Sequence, residues 1–258
     1  DMPGYLLLAL GMVALSLGLE SLGQRWELGL AWCAVGAASL ALYLAHARRC
    51  QAPLFGPHLW RIASLRIGLW GNLLSRLGST SMPFLVPLLL QVGLGYSPLQ
   101  AGLWLLPMVA AGMAVKTLAV PLVQRWGYRR VLVGNTLALG LGMVSFVWLT
   151  AEQPLAWRLL QLAWFGAANS LQFSAMNTVT LQELDANTAS SGNSLLSVVA
   201  QLSLSLGVAC AGALLGGFTA SMDSDGGDTV LGAFQLTFLT VGLMAMLAAA
   251  IFLQLSPT

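Results

Sequence analysis

Apolar residues run through this chain in long unbroken stretches, and charged residues fall in the gaps between them. No Asp, Glu, Lys or Arg occurs in 2–19, 28–47, 131–151, 159–182, 186–222 or 229–258. Residues 67–122 contain two, Arg76 and Lys116. A bilayer core takes about 20 apolar residues per helix. A charge at its centre costs roughly 2.5–3.5 kcal/mol even on the mildest scale. The pattern predicts an all-α membrane protein with eight transmembrane helices. They are expected over 3–19, 28–46, 67–92, 98–122, 131–150, 155–178, 191–217 and 230–254. Ser97 is placed to cap the fourth helix, with Pro98 at its first position.

Composition narrows the classes. Of 258 residues, 57% are hydrophobic and 8% charged, more apolar surface than a soluble fold of this size could cover. A net charge of +2 gives no reason to expect a nucleic-acid partner. Cys33, Cys50 and Cys210 are widely spaced and form no C-x-x-C pair, so neither a disulfide framework nor a metal site is indicated. His46 and His58 lie in or near one polar loop and read as interfacial. No P-loop, zinc spacing or Ser/His/Asp set occurs, so no enzyme activity and no cofactor are expected. The chain begins at Asp1, with no basic segment before its first apolar run. That run does not read as a signal peptide, and the chain reads as part of a longer protein.

The Lys/Arg content of the loops sets orientation. The 47–66 loop carries Arg48, Arg49, Arg61 and Arg66, and the 123–130 loop carries Arg125, Arg129 and Arg130. The loops near 20–27, 93–97, 151–154 and 218–229 hold Arg25 alone beside Glu20, Glu27, Glu152, Asp223, Asp225 and Asp228. The basic loops are therefore expected in the cytoplasm. The 179–190 loop falls on the same side yet carries only Glu183 and Asp185. Arg158, just inside the outer end of the sixth helix, can snorkel. The long 47–66 loop divides the chain into a helix pair, 1–50, and a six-helix bundle, 51–258.

Arg76 is the most informative residue. It lies ten positions beyond Arg66, about 15 Å deeper at 1.5 Å per residue, near the bilayer midplane. Asn72, Ser75 and Ser79 share its side of the helix, and Pro83 and Pro87 continue it. Such a face must meet protein or water rather than lipid. It reads either as a cavity wall with a positive charge for substrate or coupling, or as a structural arginine capping carbonyls of a broken neighbour. Lys116 reads as a snorkelling cation or as a pathway residue. Asn193, Ser194, Ser197, Gln201 and Ser205 form a stripe on the seventh helix, as interhelical glue or as cavity lining. Asn169 and Gln172, beside Phe173 and Met176, suit a cavity for bulky, partly apolar ligands or serve packing. No Asp or Glu lies deep in any span, although proton-driven transport ordinarily uses an embedded acid.

The stretch Gln124-Arg125-Trp126-Gly127-Tyr128-Arg129-Arg130 reads as plain positive-inside charge or as a gate latch. It resembles the major facilitator signature G-x-x-x-D-R-x-G-R-R. Arg125, Gly127, Arg129 and Arg130 match its positions, while Gln124 replaces its acid and Tyr128 its first residue after glycine. The stretch 189–208, with 91–98 and 127–133, is similar to the fourteen-span drug:proton antiporters of that superfamily. The resemblance implies two linker transmembrane helices over 1–50 and the carboxy-terminal six-helix half of a major facilitator transporter over 51–258. It implies proton-coupled multidrug efflux by alternating access, in the bacterial inner membrane. The partners would be the lipid bilayer, a small amphipathic substrate, protons, and an amino-terminal six-helix half holding the coupling acid. Asn72, Arg76, Asn169, Gln172 and Gln201 would then line the substrate pathway. Gln124, Arg125, Gly127, Arg129 and Arg130 would form the inner gate, with Lys116, Asn193 and Ser197 as further pathway positions. Two alternatives stand beside this one: a membrane scaffold or assembly subunit with no substrate, and a facilitator for organic anions.

Overall fold

The computed structural model describes residues 1–22, 25–50, 55, 62–150, 152–185, 188–222 and 227–255. Among these the chain is all-α and forms eight rods. α1 (Met2–Leu22) and α2 (Trp26–Ala47) are the first two. α3 (Ala63–Ser79), α4 (Met82–Leu88) and a π-helical turn (Leu89–Gly93) make the third. α5 (Pro98–Trp104), α6 (Leu106–Lys116) and α7 (Ala119–Trp126) make the fourth. α8 (Tyr128–Ser145), ending in a 3-10 turn, α9 (Leu155–Leu181) and α10 (Ala189–Ser221) follow, and α11 (Gly227–Leu247) with α12 (Ala249–Phe252) forms the last. Seven rods are long and apolar enough to cross a membrane. α9 falls outside that set because Gln161, Asn169, Gln172 and Asn177 interrupt its apolar residues. The protein is a multi-pass helical membrane protein.

Proline decides where the third and fourth rods break. Pro83, Pro107 and Pro121 each sit in the first turn of a new segment. A proline has no N–H, and its ring clashes with the carbonyl four residues back. The preceding helices accordingly stop at Ser79, Trp104 and Lys116. The expected continuous spans 67–92 and 98–122 are thus segmented, and the third rod starts at Ala63. The expected loop 123–130 is helical on both sides of Gly127, a one-residue joint with φ 77° and ψ 156°. Ser97 does cap α5. Its hydroxyl accepts from the Gln100 N–H while the Gln100 side chain accepts from the Ser97 N–H.

Contacts between successive turns fit the alternation of spans. At one end the Ser64 N–H donates to Glu183 Oε2 (3.4 Å), and Val131 and Leu132 pack with Val179 and Phe252. At the other, an Arg158 Nη1 donates to Tyr96 Oη (2.7 Å) with its guanidinium over the Trp104 ring. The acidic 179–190 turn thereby gains a reason: Glu183 meets the N-terminus of α3, and Asp185 accepts from the Thr188 N–H at the start of α10. Carboxylates are favoured at both places by the helix dipole. His58, Arg61, Asp223 and Asp225 lie outside the described residues, as do the side chains of Glu20 and Asp228.

Side-chain packing joins α3–α4 and α8–α12 into one bundle. Phe146 stacks on Phe238 and meets Phe165 edge-on, within a large core that includes Met82, Leu85 and Val241. A smaller core toward the Glu183 end gathers Leu132, Met176, Val179 and Phe252. α1 and α2 form an antiparallel hairpin whose backbones approach at glycines. A Cβ on Gly11 would lie 2.9 Å from Leu40, and one on Gly36 would lie 2.7 Å from Leu15. Ser39 Oγ donates across it to Leu7 O (2.7 Å), and α1 rests against α10.

Candidate functional site

Beside the break between α3 and α4 lies a pocket of about 120 Å³. Arg76 and Pro83 of the third rod, Asn169, Phe173 and Met176 of α9, and Leu204 of α10 line it. The Arg76 guanidinium carbon sits 4.5 Å from the Phe173 ring centroid, a cation–π contact. Among the described residues no carboxylate lies within 4.0 Å of that guanidinium. Thr80 fixes the depth of Arg76. Its hydroxyl donates to Arg76 O (2.6 Å) and lies 3.1 Å from Ser203 O, which ties the broken rod to α10. Gly207 of α10 has no Cβ where Thr80 comes closest. The result is a cation held at mid-span depth with an aromatic face beneath it and amides beside it. Such a site can attract anionic or polarisable groups and can bed an apolar one.

Gln172 is buried and faces two ways. It lines the pocket, yet its amide accepts from Asn135 Nδ2 (2.8 Å) and donates to Thr136 Oγ1 (2.7 Å) on α8. Asn135 Nδ2 also lies 2.8 Å from Ala168 O. Mid-membrane polar groups are thus satisfied between helices, as an apolar solvent demands. The other amide of this layer differs. Asn72 is 0% exposed, lines no part of the pocket, and neither of its amide atoms has a partner among the described residues.

The structure therefore brings Arg76, Asn169 and Gln172 together, with Asn72 one turn along the same helix. It does not bring Gln201 to them. Gln201 lies on the open face of α10 and lines a groove of about 930 Å³ with Ser16, Leu19 and Ser205, toward α1. Asn193 and Ser197 are exposed on the same helix, and the Ser197 hydroxyl donates to Asn193 O (2.9 Å). Lys116 is exposed in the last turn of α6. Gln124, Arg125, Gly127, Arg129 and Arg130 share one open cleft of about 680 Å³ with Gln182, the residue that follows α9. Three cations there make the cleft strongly positive.

Residues the sequence did not single out are Thr80, Leu204, Asn135 and Thr136. Asn135 and Thr136 carried one signal, a polar pair inside a charge-free run. Among the described residues Asp1, His46 and Cys50 could offer donor atoms to a metal, within 4.8 Å of one another. Asp1 Oδ1 there already lies 2.8 Å from His46 Nε2 and accepts from the Gly4 N–H.

Comparison with known proteins adds two findings. A family model described as Major Facilitator Superfamily matches residues 2–208. The chain is also 44% identical, over 259 aligned residues, to the multidrug resistance protein MdtD of Escherichia fergusonii. It is equally similar to the MdtD proteins of Salmonella paratyphi A and Salmonella heidelberg. Each match covers 98% of this chain and 54% of the relative, so the chain spans about half the length of the curated relatives it matches.

Proposed function

Because the chain belongs to the major facilitator superfamily, a family of membrane transporters rather than enzymes, we propose that it forms the carboxy-terminal portion of a multidrug efflux transporter. The whole protein would exchange a small amphipathic substrate for protons by alternating access. In this reading residues 1–50 are two linker transmembrane helices and 51–258 the carboxy-terminal six-helix half. An amino-terminal six-helix half closes the path and carries the coupling acid. The basic segments 47–66 and 123–130 face the cytoplasm, in a bacterial inner membrane. The 123–130 cleft acts as the inner gate.

One observation carries the reading: a cation, two amides and an aromatic ring converge at mid-span depth where three rods meet. Transporters built from two half-bundles bind substrate near that depth, between the halves. The open polar face of α10 (Asn193, Ser197 and Gln201) supports it, because two amides and a hydroxyl on an outer face call for protein or water rather than lipid. The name of the relatives supports a drug as cargo. A second reading keeps the fold and changes the cargo. Arg76, with no carboxylate beside it among the described residues, favours an organic anion.

The test uses the full-length transporter in liposomes with an imposed pH gradient. Arg76→Gln should abolish export at unchanged expression, and Arg76→Lys should retain part of it. The isolated chain should move nothing. Drug flux from the isolated chain, or full export by Arg76→Gln, would overturn the proposal. Loss of labelled organic-anion flux with dye export intact would select the second reading.

A further inference from the structure

Two arginines in this bundle lie over aromatic rings, and they differ in what their N–H groups do. Arg158 on α9 has its guanidinium carbon 4.7 Å from the Trp104 ring centroid, and its Nη1 donates to Tyr96 Oη (2.7 Å). Its Nε is buried. Arg158 is thus committed to the protein itself. Arg76 takes the same posture, 4.5 Å from the Phe173 ring centroid. Among the described residues, none of its N–H groups donates to a protein acceptor, and none of its nitrogens is both buried and unpartnered. Its donors are therefore open to whatever enters the pocket that Arg76 lines.

The neighbours of Arg76 sort by the bonds they already make. Gln172 is committed to Asn135 and Thr136, and Thr80 to Arg76 O and Ser203 O. Asn169 lines the pocket one turn before Phe173 on α9, and its amide makes no hydrogen bond among the described residues. Pro83, Met176 and Leu204 supply apolar walls. A guanidinium has five N–H donors and no acceptor, so free donors dominate the pocket. What such a set lacks is an oxyanion. The volume of about 120 Å³ gives room for a single ring beside it. A guanidinium is planar, with its N–H bonds in the plane. A ring against its face leaves the fork at its edge open for two parallel bonds to a carboxylate. Phe173 is 47% exposed, so it can hold that face without sealing the pocket. Holding a long, rotatable side chain in place before binding removes part of the ordering cost of binding.

We propose that Phe173 is a positioning residue: it holds the Arg76 guanidinium by its face and presents the N–H fork to an oxyanion, a carboxylate or sulfonate, on a cargo of about one ring. The claim rests on the second reading above, in which the cargo is an organic anion. Asn169 adds a further donor beside the fork. Phe173 sets the preference for an anion over a neutral molecule of the same shape, although the ring itself carries no charge.

The experiment measures binding of radiolabelled benzoate and of its neutral isostere benzamide to the full-length transporter in phosphatidylcholine nanodiscs. Equilibrium dialysis at neutral pH gives both affinities, with binding to empty nanodiscs subtracted, and the readout is their ratio. The unmodified protein should favour benzoate by about tenfold, and Arg76→Gln should bring the ratio near one. Phe173→Leu should lower the ratio severalfold, and Phe173→Trp, the stronger cation–π partner, should restore it. Progressively fluorinated phenylalanines at position 173 keep the shape of the ring while drawing electron density from its face. They should lower the ratio in steps, and they decide alone if Phe173→Leu fails to fold. A ratio that ignores fluorination or Phe173→Leu would overturn the positioning role, as would a Trp variant no better than Leu. A ratio near one in the unmodified protein would overturn it together with the organic-anion reading. A benzoate preference that Arg76→Gln abolishes and the Phe173 variants leave intact keeps that reading and removes the positioning role. A stepwise fall of the ratio in a protein that moves no benzoate across liposomes does the reverse.

Discussion

Gly166→Ala should loosen the fourth rod from the bundle. A Cβ on Gly166 would collide with the Met108 carbonyl oxygen and lie 2.7 Å from its carbon and 2.8 Å from its Cα. Ordinary contact begins at 3.4 Å, so the two backbones must part by about 0.7 Å (3.4 − 2.7) even at the carbon. A gap of about 0.5–1 Å forfeits a quarter to a half of each dispersion contact across it. α6 has no buried residue of its own, so its close approach to α9 is its main hold on the bundle. Overpacking against backbone, which cannot swing away as a side chain can, places the cost at about 2–3 kcal/mol. The control is Gly134→Ala on α8, where an added Cβ meets nothing within 4 Å. There the gain in helix propensity should leave stability unchanged or raised by up to about 1 kcal/mol. Thermal unfolding of both variants of the full-length protein, followed by fluorescence in one detergent, measures the contrast. Equal midpoints for the two variants would refute the argument.

Two further outcomes follow from the geometry. Gln172→Leu removes two interhelical bonds, but Asn135 keeps Ala168 O and Thr136 keeps Leu132 O. The loss should be about 1 kcal/mol, and a double-mutant cycle with Asn135→Leu should return a coupling near 0.6 kcal/mol; strict additivity would deny the contact. Ser97→Ala removes half of the capping box and should cost about 1 kcal/mol. Hydrogen exchange at the Gln100 and Ala101 amides should quicken, whereas Ser97→Asp should preserve protection.

Charge-free length made the eight rods legible, since nothing but a membrane accounts for so many unbroken apolar runs. The breaks were less legible, although the prolines that cause them stood in plain view. A mid-span proline either kinks or ends a helix, and the neighbours that satisfy the freed carbonyls decide which. Arg76, Asn169 and Gln172 line one pocket; a helical wheel gave each its face, and the packing of α3 on α9 brought the faces together. Gln201 went elsewhere. A helical wheel gives an angle within one helix, not which neighbour that angle meets, and α10 turns Gln201 toward α1. Asn135 was hidden for a related reason: its role needs Gln172, and only the folded bundle brings the two within hydrogen-bond reach. The 123–130 stretch looked like a loop by charge alone, but Arg is a good helix former, and one glycine sufficed for the joint.

The α1–α2 hairpin brings its own two ends side by side, with Asp1 2.8 Å from His46. Because it crosses the bilayer and returns, it is neutral to parity: excised or inserted, it leaves every later span pointing the way it did. Its helices grip each other through glycine and serine and touch the rest of the bundle mainly along α10. Such a cassette can be acquired or lost without inverting the machinery downstream of it.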